Sequence, residues 1–201
     1  LTASAGSIGL AAAMLSIDAD IAAGSLIANA QTGIAIIDEA GGLGVGTARS
    51  TTGDVALQTR DSLAAGENIF IGANGVVQAL AGAVNIVAGD DLFLDAAATI
   101  AAAGAVALRG DHDNADSGIG ALIDLRGRIT GTSVTIASGD DGIGGRRTGD
   151  IARTICSAHR ERVGPWCRCV ERSAAWHRPS ARRNVGEAVG VGIVDDAGRW
   201  G

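Results

Sequence analysis

Short units of the form Gly-x-Val/Ile-x-Ile/Leu recur along the first three quarters of the chain. Two of them occupy residues 82–86 and 104–108, and their Val84 and Val106 stand 22 residues apart. The next matching valine, Val134, follows 28 residues later. A period of roughly 20 residues with insertions is typical of solenoids, in which each repeat is one small structural unit. Similar units are present at residues 6–10, 24–28, 32–36 and 52–57.

Within these segments, apolar residues alternate with small or polar ones. In Ile17–Ile21 the two acids fall on one face and the apolar residues on the other, and Leu92–Asp95 and Val134–Ile136 behave in the same way. A period of two is that of a β-strand, but strands of about 3–5 residues are too short to be stable alone. They become stable when successive repeats stack. We therefore predict an all-β fold, a parallel β-helix of roughly seven coils and about 34 Å in length.

The composition of residues 1–145 agrees with a narrow stacked core. Hydrophobic residues make up 47% of the whole chain, yet aromatic residues make up 2%, and before residue 146 they are limited to Phe70 and Phe93. Large rings do not fit easily into a core whose width is set by one coil. The Ala-rich stretch Ala96–Leu108 offers a helical alternative, because Ala is the best helix former. Recurrent glycine and the i, i+2 spacing of the apolar residues favour strands.

The same composition argues against several classes of function. Ligand pockets are lined mainly by apolar and aromatic side chains, and grooves for single-stranded nucleic acid need basic and aromatic ones. Here all 16 basic residues are Arg, and Tyr is absent. We therefore expect neither a pocket enzyme, nor a sugar-stacking lectin, nor a nucleic-acid-binding protein. No apolar run reaches the roughly 18 residues that a transmembrane segment needs.

The chain changes character near Arg146, which we take as a domain boundary. Residues 1–145 hold 5 Arg and 16 acidic residues, whereas residues 146–201 hold 11 Arg and 6 acidic residues. Every Cys, Trp and Pro lies in the second segment. Codons for Ala, Gly and Asp in a GC-rich gene yield mainly Arg, Pro, Cys, Trp and His when they are read out of register. We interpret this Arg/Cys/Trp-rich tail as the product of a shifted reading frame, with a genuine small domain as the alternative, and expect it to be disordered or irregular.

The tail also contains side chains of the types that bind zinc. Four of them suffice for a tetrahedral site, but Cys-x-Cys spacing is cramped, and we favour no metal site there. The candidates are Cys156, His159, Cys167, Cys169 and His177.

Residues 111–118 interrupt the repeat and supply Asp111, Asp113 and Asp116 at close spacing. Carboxylates at alternating positions suit Ca²⁺, which prefers hard oxygen ligands. The segment lacks both the Asp-x-Asp-x-Asp-Gly pattern and the closing Glu of an EF-hand loop. We therefore favour a solvated loop that bulges from the stack, and we keep these three residues as a weak calcium candidate.

Two pairs of adjacent acids, Asp90–Asp91 and Asp140–Asp141, each follow a glycine. Glycosidases also use two carboxyl groups, but they need them at a set separation across a groove. Adjacent residues in a strand or turn point apart, and Gly-Asp is common in ordinary turns. We interpret both pairs as turns and predict no catalytic residue.

The Gly-x-Val-x-Leu units, together with Val84–Leu94 and Gly127–Ile136, resemble the repeat region of filamentous-haemagglutinin-like adhesins. These are large exoproteins of Gram-negative bacteria, and the resemblance covers about residues 1–145. It implies a right-handed β-helical shaft, export by an outer-membrane two-partner transporter, and attachment to a receptor or glycan on a host or neighbouring cell. The family's secretion-signal domain is not recognisable here, and the chain begins with Leu1. We therefore expect a fragment of an exported parent protein.

These observations lead us to expect a structural shaft segment of a secreted, cell-surface adhesin that is not an enzyme and has no cofactor apart from the calcium candidate. Two alternatives stay open. One is a β-helical enzyme acting on polysaccharide, which a groove lined by Asp and Arg from neighbouring coils would support. The other is an extracellular repeat stabilised by calcium.

Overall fold

The computed structural model describes residues 1–19, 25–113, 115, 121–139, 143–144 and 151–152. Across these residues the protein is all-β, as predicted, with seventeen strands and no helix. The strands are β1 Thr2–Ala3, β2 Ser7–Ile8, β3 Leu15–Ile17, β4 Leu26–Ala30, β5 Gly33–Asp38, β6 Leu43–Ser50, β7 Val55–Thr59, β8 Ile69–Ala79, β9 Val84–Val87, β10 Leu92–Leu94, β11 Thr99–Ala102, β12 Val106–Arg109, β13 Ala121–Leu125, β14 Arg128–Thr130, β15 Val134–Ala137, β16 Ile143–Gly144 and β17 Ile151–Ala152.

The strands form two sheets, and the chain passes repeatedly from one sheet to the other. The first sheet has ten strands in the order β1-β4-β6-β8-β10-β13-β16, and β11, β14 and β17 extend it from β8. The second has seven strands in the order β2-β5-β7-β9-β12-β15, and β3 also pairs with β5. We use the word pass for one traverse of both sheets. Each pass adds strands parallel to those of the previous pass.

Register in the second sheet confirms the sequence repeat. Val106 of β12 lies opposite Val84 of β9 on one side and opposite Val134 of β15 on the other. The variable spacing of the repeat therefore does not shift the matching residues relative to one another. The complete column, which we call the valine column, is Ile8, Ile34, Val55, Val84, Val106 and Val134.

One of the repeat units belongs to the other sheet. Leu26, in the unit at residues 24–28, lies in β4 and pairs with Val45 of β6. The short glycine-containing pattern thus occurs in both sheets. The sequence alone did not distinguish the units of the first sheet from those of the second.

An insertion in the first sheet is absorbed by a bulge. Between β6 and β8 the register shifts, so that Val45 lies opposite Ile71 while Thr47 lies opposite Val76. The extra residues on β8 include Asn74, whose φ is 62°, a left-handed conformation that Asn adopts more readily than most residues. The pairing resumes beyond the bulge, which is how the repeat tolerates unequal spacing.

Alternate residues of the strands form one hydrophobic cluster. In β12, Val106 and Leu108 are buried whereas Ala107 between them is half-buried. Each fully buried aliphatic side chain contributes roughly 1.5–3 kcal/mol relative to an exposed one. The largest fully buried side chains are Ile36, Leu43, Leu57, Ile69, Ile71, Ile86, Leu92, Leu94, Ile100, Leu108, Ile123 and Leu125.

Both phenylalanines lie outside this cluster. Phe70 of β8 and Phe93 of β10 are register partners, and their ring centroids are 6.4 Å apart. Phe70 is 39% exposed. Among the described residues the core is therefore built from aliphatic side chains, as the aromatic-poor composition predicts.

The Ala-rich stretch Ala96–Leu108 forms strands, and the helical alternative for it is wrong. Thr99–Ala102 pair with β8 on one side, and the start of β12 pairs with β9. Neighbouring passes supply the backbone hydrogen bonds that a helix would otherwise make within itself, so the tertiary context overrides the helix propensity of Ala. The described residues include no helix long and apolar enough to cross a membrane.

Pairing continues for a short distance past the boundary predicted at Arg146. Ile151–Ala152, which form β17, lie parallel to Ile129–Thr130 of β14. The other residues of the tail lie outside the described part of the chain, and so do its zinc candidates.

Close stacking of passes makes Gly53 a sensitive position. A Cβ atom at Gly53 would overlap the carbonyl oxygen of Thr32 and lie 2.7 Å from its carbonyl carbon, whereas a Cβ at Gly6 would have no neighbour within 4 Å. We expect Gly53→Ala to lower the free energy of unfolding by about 1–3 kcal/mol. Gly6→Ala, the matched control, should change it little. Urea unfolding followed by circular dichroism measures both, and equal stabilities of the two variants would contradict this account of the stacking.

Candidate functional site

Buried polar residues are concentrated at one end of the second-sheet strands. Asp38 and Thr59 are the last residues of β5 and β7, and they lie opposite each other. Asp111 follows β12, and Glu67 lies in the segment between β7 and β8. All four are at most 3% exposed. A buried polar group is costly unless it is hydrogen-bonded. The polar side chains at this end of the sheet therefore need hydrogen-bond partners within the protein.

Three carboxylates from two passes converge there. Asp61 and Glu67 follow β7, and Asp90 follows β9, the neighbour of β7 in the sheet. One oxygen atom from each residue lies within 4.8 Å of the others. Glu67 is 3% exposed, and the other two residues are half-buried. We call these three residues the carboxylate cluster.

Backbone amides hold Asp90 and Glu67 in place. Oδ2 of Asp90 accepts hydrogen bonds from the amides of Gly66, at 2.6 Å, and of Glu67, at 2.9 Å. The two carboxylate oxygens of Glu67 accept from the amide and the hydroxyl of Ser62, both at 2.6 Å. Asp90 therefore attaches its own pass to the preceding one.

Asp61 makes the longest-range connection of the cluster. Its Oδ2 accepts hydrogen bonds from the amide of Asp113, at 2.7 Å, and from that of Ala115, at 3.2 Å. The remaining oxygens, Oδ1 of Asp61 and Oδ1 of Asp90, are buried and have no hydrogen-bond partner among the described residues. The cluster thus combines oxygens that accept hydrogen bonds with two that accept none from the described part of the chain.

The chemistry available to this cluster is limited by its burial. Carboxylate oxygens suit a hard cation such as Ca²⁺, and these are the described residues whose spacing could hold one. Glycosidases place their two carboxyl groups about 5–10 Å apart on either side of a sugar. In the cluster, one oxygen atom of each carboxylate lies within 4.8 Å of the others, and the central Glu67 is 3% exposed.

Two of the three calcium candidates predicted from the sequence, Asp111 and Asp113, lie beside the cluster. Asp111 is 1% exposed, and its amide donates to the carbonyl of Asp90 at 2.9 Å. The side chain of Asp113 is 67% exposed, while its amide donates to Asp61. Asp116 lies outside the described residues. The two described candidates connect this loop to the cluster through their backbones, and a calcium site formed by all three side chains stays a prediction.

The adjacent acids Asp90 and Asp91 contact different passes. Asp90 binds amides of the preceding pass, whereas Oδ1 of Asp91 accepts the amide of Leu122 in the following pass at 2.8 Å. The two adjacent carboxylates therefore accept backbone amides on opposite sides of their own pass, and the interpretation of the pair as a turn stays a prediction. The second pair, Asp140–Asp141, lies outside the described residues.

An exposed polar ladder runs along the same end of the sheet. Glu39 accepts hydrogen bonds from the hydroxyl of Ser16, at 2.8 Å, and from Nε of Arg60, at 2.6 Å, so that three successive passes are joined. The hydroxyl of Ser16, and after it the guanidinium of Arg60, hold the pKa of Glu39 below its usual value.

Sequence reasoning missed Asp61 and Glu67 as members of a site. They belong to no motif, and five residues separate them in the chain. One signal was present, since an aspartate follows each of five successive second-sheet units at a similar distance. These aspartates are Asp38, Asp61, Asp90, Asp111 and Asp140.

Comparison with known proteins does not assign the chain to a family. No protein-family model matches it, and neither a curated protein nor a solved structure is significantly similar.

Two substitutions at Asp90 test separately how its hydrogen bonds and its charge contribute to stability. Asp90→Ala leaves the amides of Gly66 and Glu67 without their acceptor, and we expect it to lower the free energy of unfolding by about 1–3 kcal/mol. Asp90→Asn keeps one acceptor oxygen and removes a negative charge from the cluster. It should be at least as stable as the wild type.

Urea unfolding of the two variants and the wild type, in a buffer containing chelator, makes this comparison. Equal losses of stability in both variants would contradict the assignment of Asp90 as an acceptor that joins two passes.

Proposed function

We propose that residues 1–145 form a right-handed parallel β-helix that serves as a structural shaft segment of a secreted, cell-surface adhesin. The observation that carries this proposal is the valine column, which stays in parallel register through six strands. In this proposal each pass is one coil. The right hand is supported by the general rule that crossover connections between parallel strands of one sheet are right-handed.

A stack of this kind acts by length and stiffness. Each pass contacts its neighbours, so that stability and length grow pass by pass. With strands about 4.8 Å apart, the five intervals of the valine column span roughly 24 Å. Buried aliphatic columns and backbone hydrogen bonds between passes resist bending. Such a segment holds binding regions of a parent protein away from the cell surface.

The outward positions of the second sheet suit a spacer. On the valine-column strands, the half-buried or exposed residues that follow the valine-column position include Ala56, Asn85, Ala107 and Thr135, which are small or uncharged. We propose that the receptor or glycan of a host or neighbouring cell is bound elsewhere in the parent protein. Export would use an outer-membrane two-partner transporter of a Gram-negative bacterium.

Neighbouring residues on β9 provide a test of the role in attachment. Ile86 is fully buried in the core, whereas Asn85 beside it is exposed. Ile86→Asp places a charge in the apolar core and should prevent stacking, while Asn85→Asp adds the same charge on the outside. We expect bacteria displaying the parent protein with Asn85→Asp to adhere to host cells as the wild type does. Bacteria displaying Ile86→Asp should lose most of their adhesion at equal surface expression.

The count of retained cells under flow measures adhesion, and antibody staining of the displayed protein normalises it. Full adhesion by the Ile86→Asp variant would contradict a role of the stacked segment in attachment.

The effect of added calcium on the melting temperature distinguishes the shaft proposal from the alternative of a calcium-stabilised repeat. A calcium-dependent stack predicts a melting temperature that rises with millimolar Ca²⁺ and falls with chelator, because ligand binding to the folded state stabilises it. The shaft proposal predicts the same melting temperature in both buffers. Differential scanning calorimetry of the chain decides between them.

A further inference from the structure

Asp38 is a buried carboxylate at the junction between the first two passes. It is the last residue of β5 and is fully buried. Its register partners are Ile17 of β3 on one side and Thr59 of β7 on the other. The contacts of its side chain therefore affect how Leu15–Ala19, the segment that includes β3, is attached to β5.

The two oxygens of this carboxylate have different surroundings. Oδ1 accepts a hydrogen bond from the amide of Ala19 at 2.8 Å. Oδ2 is buried and has no hydrogen-bond partner among the described residues. The neighbouring hydroxyl of Thr59 is already used, since it donates to the carbonyl of Glu67 and accepts from the amide of Gly89.

The charged groups around Asp38 disfavour the ionised form of its carboxyl group. Asp18 lies next to β3, and Glu39 follows Asp38 directly. Arg60, after β7, is the nearby cation, but its guanidinium binds Glu39 rather than Asp38. Of the other strands packed against β5, β2 and β4 carry no charged residue, and β6 carries the exposed Arg49.

We propose that Asp38 is a pH-sensitive clamp: proton uptake by its carboxyl group tightens the hold of Leu15–Ala19 on β5. The ionised form is buried with one hydrogen bond and two acidic neighbours, whereas the neutral form avoids both the desolvation and the repulsion. The hydrogen bond from Ala19 is available to both forms. The attachment of the first pass is then stronger in mild acid than at neutral pH.

The sign of the effect follows from proton linkage. Burial, and secondarily the charges of Asp18 and Glu39, raise the pKa of Asp38 above its usual value of 3.8. When Leu15–Ala19 detaches, Asp38 meets water and its pKa returns to the usual value. Between the two pKa values the closed state binds more protons, so the closed state gains stability as pH falls and loses it as pH rises.

Hydrogen exchange of single amides in the full chain tests the proposal. The reporters are the amides of Ala19, which binds Asp38, and of Glu39, which donates to the carbonyl of Ile17 at 2.8 Å. We expect their protection factors, corrected for the intrinsic pH dependence of exchange, to rise several-fold between pH 7.5 and pH 4.5. The amide of Val106, far along the stack, should rise much less.

Two variants identify the titrating group. Asp38→Asn keeps the size of the side chain and removes its charge, so both reporters should show pH-independent protection. The matched control is Asp54→Asn, because Asp54 is exposed and its Oδ1 also accepts a backbone amide of another pass, that of Ala83 at 2.7 Å. It should retain the wild-type profile.

Each outcome bears on the clamp directly. Flat profiles in the wild type, an unchanged pH dependence in Asp38→Asn, or its loss in Asp54→Asn would overturn the proposal. If Asp38→Asn does not fold, Asp18→Asn replaces it, and its profile should move to lower pH because one repelling charge has been removed.

Discussion

In-register stacking of aliphatic side chains between passes is the interaction on which the other features depend. All of the described strands except β6 and β8 have six residues or fewer, and strands of that length would not be stable by themselves. The valine column places an aliphatic side chain of one pass directly against those of the passes before and after it. Burial and backbone pairing are therefore gained together. A residue that interrupts the contact between passes affects both.

Close stacking also determines where polar groups are placed. Glycines occur where the backbones of two passes approach each other, as at Gly53 against Thr32. Turns at the ends of the second-sheet strands need acceptors for amides that leave the sheets. Asp90 serves in this way for Gly66 and Glu67, and Asp61 for Asp113 and Ala115. The carboxylates thus connect successive passes, at the cost of bringing like charges together.

The sequence predicted the repeating part of this fold well. The units containing Val84, Val106 and Val134 identified strands that pair in register, because an alternating pattern read from one chain is preserved when passes stack. The sequence was less informative where the same glycine-containing pattern occurs in both sheets. The unit around Leu26 resembles the others but belongs to the first sheet, since both sheets need an apolar residue facing the core.

By itself, the sequence determined that the chain is all-β, that its core is aliphatic, and that aspartates recur beside the strands, because these properties depend on local alternation and composition. Only the tertiary structure decided which acids meet. Asp61, Glu67 and Asp90 converge because β7 and β9 are neighbours in a sheet and the segment between β7 and β8 folds back. The burial of Asp38 between two passes was decided in the same way. Neither feature is visible from spacing along the chain, since each depends on the register between strands that are far apart in sequence.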